Sequence, residues 1–182
     1  ASGGPGPNGS MRRVQLKRGN ALVTELDLYD FITRGDKTKD ARLQSGDVVV
    51  FMPVGPRVAL TGSVDSPAVY ELAGPQESLK DLLSYSGGLR ATSNPARAQL
   101  ERIDPSQPKA PRVVQSVDPT QAATTALRDG DIVTLFAVEP QFANAVTLRG
   151  NVARPLRYPF VAGMRISDLI PEREALITAD YY

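Results

Sequence analysis

Apolar and polar residues alternate along Val58-Ala59-Leu60-Thr61-Gly62-Ser63-Val64, and a period of two predicts a strand with one buried face. The same pattern returns in Val146-Thr147-Leu148-Arg149-Gly150-Asn151-Val152. Each strand runs into a turn with a proline, Pro67 or Pro155, whose fixed φ and missing N–H suit a bend rather than a central strand. A second strand then places Ala68, Tyr70 and Leu72 on one face, matched by Leu156, Tyr158 and Phe160. Both segments therefore open with a hairpin.

A different periodicity follows. From Ser78 to Gly88 the leucines at 79, 82 and 83 fall on one helical face, Ser78 and Asp81 have the spacing of a capping box, and Gly87-Gly88 supplies the stop. The later copy keeps Ile166, Ser167, Asp168, Leu169 and Ile170, but Pro171 stands where the helix would continue, which predicts a shorter or bent helix. Strands are predicted at Arg97–Ile103 and Arg112–Asp118, then a short helical or irregular link and a last strand, Asp131–Phe136. Near the start of the chain, Arg12–Lys17 and Ala21–Leu28 form a similar strand pair joined by Gly19-Asn20, a two-residue turn signal. The order β-β-α-β-β-β, with one helix across a mixed sheet, predicts an α+β fold of the β-grasp, ubiquitin-like kind.

Laid over itself, the chain repeats. Val14-Gln15-Leu16-Lys17-Arg18 falls on Ala98-Gln99-Leu100-Glu101-Arg102, and Gly46-Asp47-Val48-Val49 on Gly130-Asp131-Ile132-Val133, at one shift of 84 positions (Asp47 to Asp131). The hairpin frame G-x-V-x-x-P-x-x-Y recurs at 88 positions (Gly62 to Gly150, Tyr70 to Tyr158). The chain is out of phase with its repeat: 1–53 corresponds to the back half of a unit, 54–138 to a complete unit and 139–182 to the front half of another. The two half-units are complementary, and the sequence predicts that they pair with each other or with halves from another chain, because each alone leaves a sheet edge and an apolar face uncovered.

Composition narrows the chemistry. The 21 Lys and Arg against 20 Asp and Glu are spread along the 182 residues, with no basic run of the kind that binds nucleic acid. The chain has no cysteine and no histidine, which removes thiol nucleophiles, disulfides, thiolate metal sites and the commonest general base. No run of about 20 apolar residues offers a membrane-spanning helix, no leader opens the sequence, and the start at Ala1 rather than Met reads as an excised or processed piece. Gly3-Gly4-Pro5-Gly6 lacks the lysine and helix of a phosphate loop. Acidic pairs such as Asp36 with Asp40 or Glu172 with Glu174 are candidates for glycosidase chemistry only if a fold sets them across a cleft, and surface loops collect such pairs freely. The expectation is a protein without catalysis, metal or cofactor.

The frame V-x-L-x-G-x-V-x-x-P-x-x-Y, a helix ending in S-G-G and a strand with Q-L-x-R resemble the SLBB repeat, the soluble ligand-binding β-grasp module. Met11–Arg18, Leu26–Phe31 and Leu43–Val48 are similar to segments of bacterial outer-membrane polysaccharide export proteins, which carry several such repeats. The resemblance spans almost the whole chain and implies a periplasmic part of a capsule or exopolysaccharide export machine in a Gram-negative bacterium. It implies a homo-oligomer stacked around a conduit, polysaccharide in transit as substrate, and an inner-membrane polysaccharide copolymerase or other secretion components as partners.

Candidate binding residues remain open between two readings. Tyr70 and Tyr158 are either platforms for sugar rings or core residues of an alternating strand, the second being favoured. Gly62 and Gly150 either admit a ligand to the backbone or mark a bulge or tight packing. Arg149, Arg154, Arg157 and Arg165 gather in the third segment, where the second has Thr61, Ser66, Val69 and Ser78; they either meet an acidic polysaccharide or a neighbouring subunit, or form a solvated basic face. Thr33–Asp40 reads as a charged loop. Three functions follow in order: a non-catalytic conduit module, a small-ligand or carbohydrate-binding module, and a carbohydrate-active enzyme.

Overall fold

The computed structural model describes residues 4–152 and 155–170. The chain divides into two compact units, Ala1–Val138 and Glu139–Tyr182. The first unit contains β1 (Gly9–Arg18), β2 (Ala21–Leu26), α1 (Leu28–Arg34), β3 (Asp47–Pro53), β4 (Arg57–Gly62), β5 (Ala68–Glu71), α2 (Leu79–Tyr85), β6 (Ser93–Ile103), β7 (Arg112–Val117), a 3-10 turn at Pro119–Thr124 and β8 (Ile132–Ala137). Its larger sheet has the order β5-β4-β8-β6-β7, in which β4 runs parallel to β8 and every other neighbour is antiparallel. Two hairpins flank a last strand that returns to the centre, and one helix crosses the sheet. This mixed α+β arrangement is that of a β-grasp.

The alternating pattern explains the layer. Val58 and Leu60 of β4, Ala98 and Leu100 of β6, and Val133 and Leu135 of β8 point to one face, where they meet Leu79, Leu82 and Leu83 of α2. Ser78 begins that helix with both halves of a capping box: its hydroxyl accepts from Asp81 N, and its own N–H donates to Asp81 Oδ2 at 2.9 Å. Gly87 and Gly88, both at φ +87°, turn the chain out of the helix.

Gly62 has a more particular cause. At φ +85° it sits against β8, and a Cβ there would collide with the carbonyl oxygen of Leu135, which accepts the next residue's N–H, Ser63, at 2.7 Å. The structural reading of that glycine holds.

Residues 9–53 build a second, three-stranded sheet, order β2-β1-β3. The register of β1 with β3 copies that of β6 with β8 residue for residue. Val14, Leu16 and Arg18 face Phe51, Val49 and Asp47, as Ala98 and Leu100 face Leu135 and Val133. Even the irregularity recurs, between Gly9 and Val14 in one copy and between Ser93 and Ala98 in the other. The strand expected over Ala21–Leu28 ends at Leu26, however, because Asp27 takes the cap of α1, its carboxylate accepting from Tyr29 N at 2.7 Å. Asp118 does the same for Thr120 N at 2.8 Å. Beyond these matched caps the links diverge: α1 has an Asp30–Arg34 pair at 3.1 Å and a left-handed Gly35 to close it, whereas the turn after Pro119 is broken at Gln121.

In the second unit β9 (Ala145–Thr147) and β10 (Arg157–Pro159) form a two-stranded sheet, followed by α3 (Ile166–Leu169), a single turn as the sequence predicts. Val146 faces Tyr158 as Val58 faces Tyr70. Arg165 stands where Ser78 stands, its N–H donating to Asp168 Oδ2 at 2.7 Å. Arg154, Pro171, Glu172 and Glu174 lie outside the described residues.

Replacing Gly62 by alanine adds both backbone strain and a collision with β8, so it is expected to lower stability by about 3 kcal/mol. Urea unfolding of the 182-residue chain followed by circular dichroism checks this; an unchanged midpoint would rule out the close approach.

Candidate functional site

The parity of β1 puts Ser10, Arg12, Val14 and Leu16 on its buried side, so an arginine occupies a position meant for an apolar side chain. The position one repeat later holds Ala96. Arg12 reaches from the three-stranded sheet into the five-stranded one. Its Nε donates to the carbonyl of Glu71 at 2.6 Å, and its terminal nitrogens meet Asp27 at 3.1 Å and Glu77 at 3.2 Å. The guanidinium lies 4.2 Å from the ring centre of Tyr29 and 4.4 Å from that of Tyr85.

Every other group at this joint is also occupied. Glu71 accepts from the Ser10 hydroxyl at 2.7 Å, Met11 N at 3.0 Å and Gly55 N at 2.8 Å. The Tyr29 hydroxyl accepts from Glu71 N at 3.1 Å, and the Tyr85 hydroxyl donates to Glu77. Burial opposes the charge of Arg12, but Tyr85, Glu77 and Asp27 outweigh it and hold the guanidinium pKa above its ordinary value. Burial, with Glu77 in second place, pushes the Tyr85 phenol up to about 12. Pairing on this scale makes the junction of the two sheets a fixed joint rather than a hinge.

A second arginine motif is duplicated. Arg18 grips Asp47 with Nε and a terminal nitrogen at 2.8 and 2.9 Å, and Arg102 grips Asp131 at 2.9 and 2.6 Å. Asp47 also accepts from Gln44 N, and Asp131 from Arg128 N, each at 2.8 Å. The same terminal nitrogen that meets the aspartate also donates to the carbonyl of Arg42 in one copy and of Ala126 in the other. All four partners keep the 84-residue shift, from Arg18 to Arg102 and from Asp47 to Asp131. The two clasps tie the last strand of each sheet to the loop before it.

Among the described residues, the grooves with room for a ligand include these three. One, about 430 Å³, lies beside the joint and is lined by Arg12, Arg13 and Lys39 with Glu25, Asp27, Asp30 and Asp36. Asp36 caps its own loop by accepting from Thr38 N at 2.9 Å, an interaction that lowers its pKa. A second groove of about 420 Å³ occupies the matching place in the complete copy, with Ser116, Asp118 and Gln121 where the first has Glu25, Asp27 and Asp30. It is also lined by Gln115, Thr125 and Arg128. Among the described residues no group of three Asp and Glu side chains is suited to a metal ion.

The third groove, about 240 Å³, brings together Arg149 and Arg157 with Thr147, Leu148, Pro155 and Leu156. Arg157 stacks 4.6 Å from the ring centre of Phe142. Arg165 is exposed at the start of α3. Tyr158 is half-buried on β10. Tyr70 is half-buried against the core and edge-on to Tyr29 at 6.3 Å, and its hydroxyl donates to the carbonyl of Ser66 at 2.7 Å, closing the proline turn. Arg12 and the two clasps went unnoticed in the sequence. The signal for Arg12 was there: a charge in the core-facing register of a strand where the other copy has alanine.

Residues 57–113 match the family model of the SLBB domain. Over that segment the chain is similar to the SLBB domain. The match runs from β4 into β7, and β8, which fills the centre of the same sheet, lies beyond it. No curated protein matches the chain. The Arg12 joint thus connects the segment similar to the SLBB domain to the sheet that precedes it.

Two outcomes are expected. Arg12→Met strands Glu77 and Asp27 without their cation and lowers stability by about 3 to 5 kcal/mol, with faster amide exchange at Met11 and Glu71; exchange no faster than in the parent chain would refute the joint. Hydrogen bonds from Arg18, then from Gln44, hold the Asp47 carboxyl at about 2, below its ordinary 3.8. A depressed folded pKa favours the ionised folded form, so this contribution is complete above about pH 4 and is lost as pH falls through 2. Urea midpoints between pH 5 and pH 2 should fall less steeply for Asp47→Asn than for the parent chain.

Proposed function

We propose that the chain is the periplasmic repeat region of a capsule or exopolysaccharide export protein, forming part of an oligomeric conduit at the outer membrane without catalysing a reaction. In this reading residues 1–53, 54–138 and 139–182 are the back half of one SLBB repeat, a complete repeat and the front half of a further one. The observation that carries it is the SLBB match set within repeated register: β1 and β3 copy β6 and β8, and β9 and β10 copy β4 and β5. A module repeated so closely, and joined to its neighbour by a saturated ionic clamp, suits a rigid wall. Polysaccharide passes as cargo, and a polysaccharide copolymerase or other secretion component is the partner expected on the inner-membrane side.

A second reading is a small-ligand or carbohydrate-binding module. The matching grooves of about 430 and 420 Å³ favour it, being large enough for a sugar residue and rich in hydrogen-bonding groups.

In-frame removal of the segment encoding residues 54–138 from the full gene in its own bacterium is expected to abolish surface polysaccharide. Wild-type surface polysaccharide in that strain would sink the conduit reading. Saturable calorimetric binding of an oligosaccharide, lost in Gln115→Ala with Gln121→Ala, would favour the second.

A further inference from the structure

We propose that the hairpin of β9 and β10 from one molecule completes the three-stranded sheet of a second copy of this chain, by adding β9 parallel to β3. The proposal rests on the oligomeric repeat reading above and gives it a specific contact. In the complete copy the last strand, β8, is flanked by β6 and by β4, which runs parallel to it. Its counterpart β3 ends its sheet, with β1 as its neighbour. The edge exposes a core-type residue: Val49 is 48% accessible, whereas Val133, which holds the same register position, is 1%. Strand edges of this kind are templates for a further strand.

The second unit carries the matching piece. Phe160 and Ile166 are 53% and 78% accessible, while Leu72 and Leu79 at the corresponding places in the complete copy are 3% and 1%. The glycines agree. Gly62 has a positive φ because β8 presses on it, and a Cβ there would strike Leu135 O. Gly150 has φ +109°, yet a Cβ on it would meet no atom within 4 Å. That backbone is shaped for a strand like β8 to lie against.

Register fixes the contact. β4 sets Ala59, Leu60 and Gly62 against Ile132, Val133 and Leu135. Carried across, Thr147 of one molecule faces Val48 of the next, Leu148 covers Val49, and Gly150 lies against the carbonyl of Phe51. The described residues of each chain carry this hairpin and this edge, so the contact is head-to-tail and builds a ring if the rotation closes.

The test uses single cysteines in the otherwise cysteine-free 182-residue chain. Val48→Cys and Thr147→Cys, both at exposed positions, are purified with different tags, mixed and oxidised. Parallel neighbours lie within disulfide reach, so a mixed disulfide dimer is expected, in clear excess over the mixture of Val114→Cys with Thr147→Cys. Val49→Asp in the Val48→Cys chain should abolish it. No mixed dimer, or a disulfide found only inside monomers of the double variant, would overturn the proposal. Light scattering separates the two readings, since oligomers without the crosslink would reject this contact while leaving a repeat conduit standing.

Discussion

A single buried cation governs how the first unit holds together. Arg12 closes the gap between the two sheets, its guanidinium packed against the rings of Tyr29 and Tyr85 and shared among Asp27, Glu77 and the Glu71 carbonyl. An arginine buried this deeply is tolerable only because each of its neighbours is itself satisfied, Glu71 by Ser10 and two backbone N–H groups, Glu77 by Tyr85 and Ala73 N. Removing any one member takes a partner from a buried neighbour. That interdependence makes the junction specific as well as strong.

The other arginines act within copies rather than between them. Arg18 with Asp47 and Arg102 with Asp131 repeat the same bidentate geometry on the same loop, and they pin the last strand of each sheet in register. The clasps recur and the joint does not.

Much of this was legible because it is local or periodic. The alternation at Val58–Val64, the capping box at Ser78 and the Gly87-Gly88 stop each name an element with a physical cause, and the 84-residue shift from Asp47 to Asp131 anticipated a register that the two sheets share. The end of β2 was misjudged by two residues, since Asp27 can extend a strand or cap a helix and only the chain beyond decides. Glu71 and Glu77, the partners of Arg12, were beyond reach for another reason: they lie 59 and 65 residues from it in sequence, and no periodicity links a strand to the loop that another sheet brings to it. Tyr70 was legible as a core-side residue by parity, but its bond to Ser66 depends on the turn at Pro67.

The ionic joint and clasps also determine how the protein answers its surroundings. The chain has no histidine and no cysteine, the side chains whose ordinary titration or oxidation falls nearest neutral conditions. Its fixed contacts are instead made by guanidinium groups, with Asp47 ionised down to about 2 and Tyr85 neutral up to about 12. A compartment open to the outside, where acidity and redox state drift, would leave such fastenings unmoved. In the first unit the joint and clasps stay paired over a wide range of acidity.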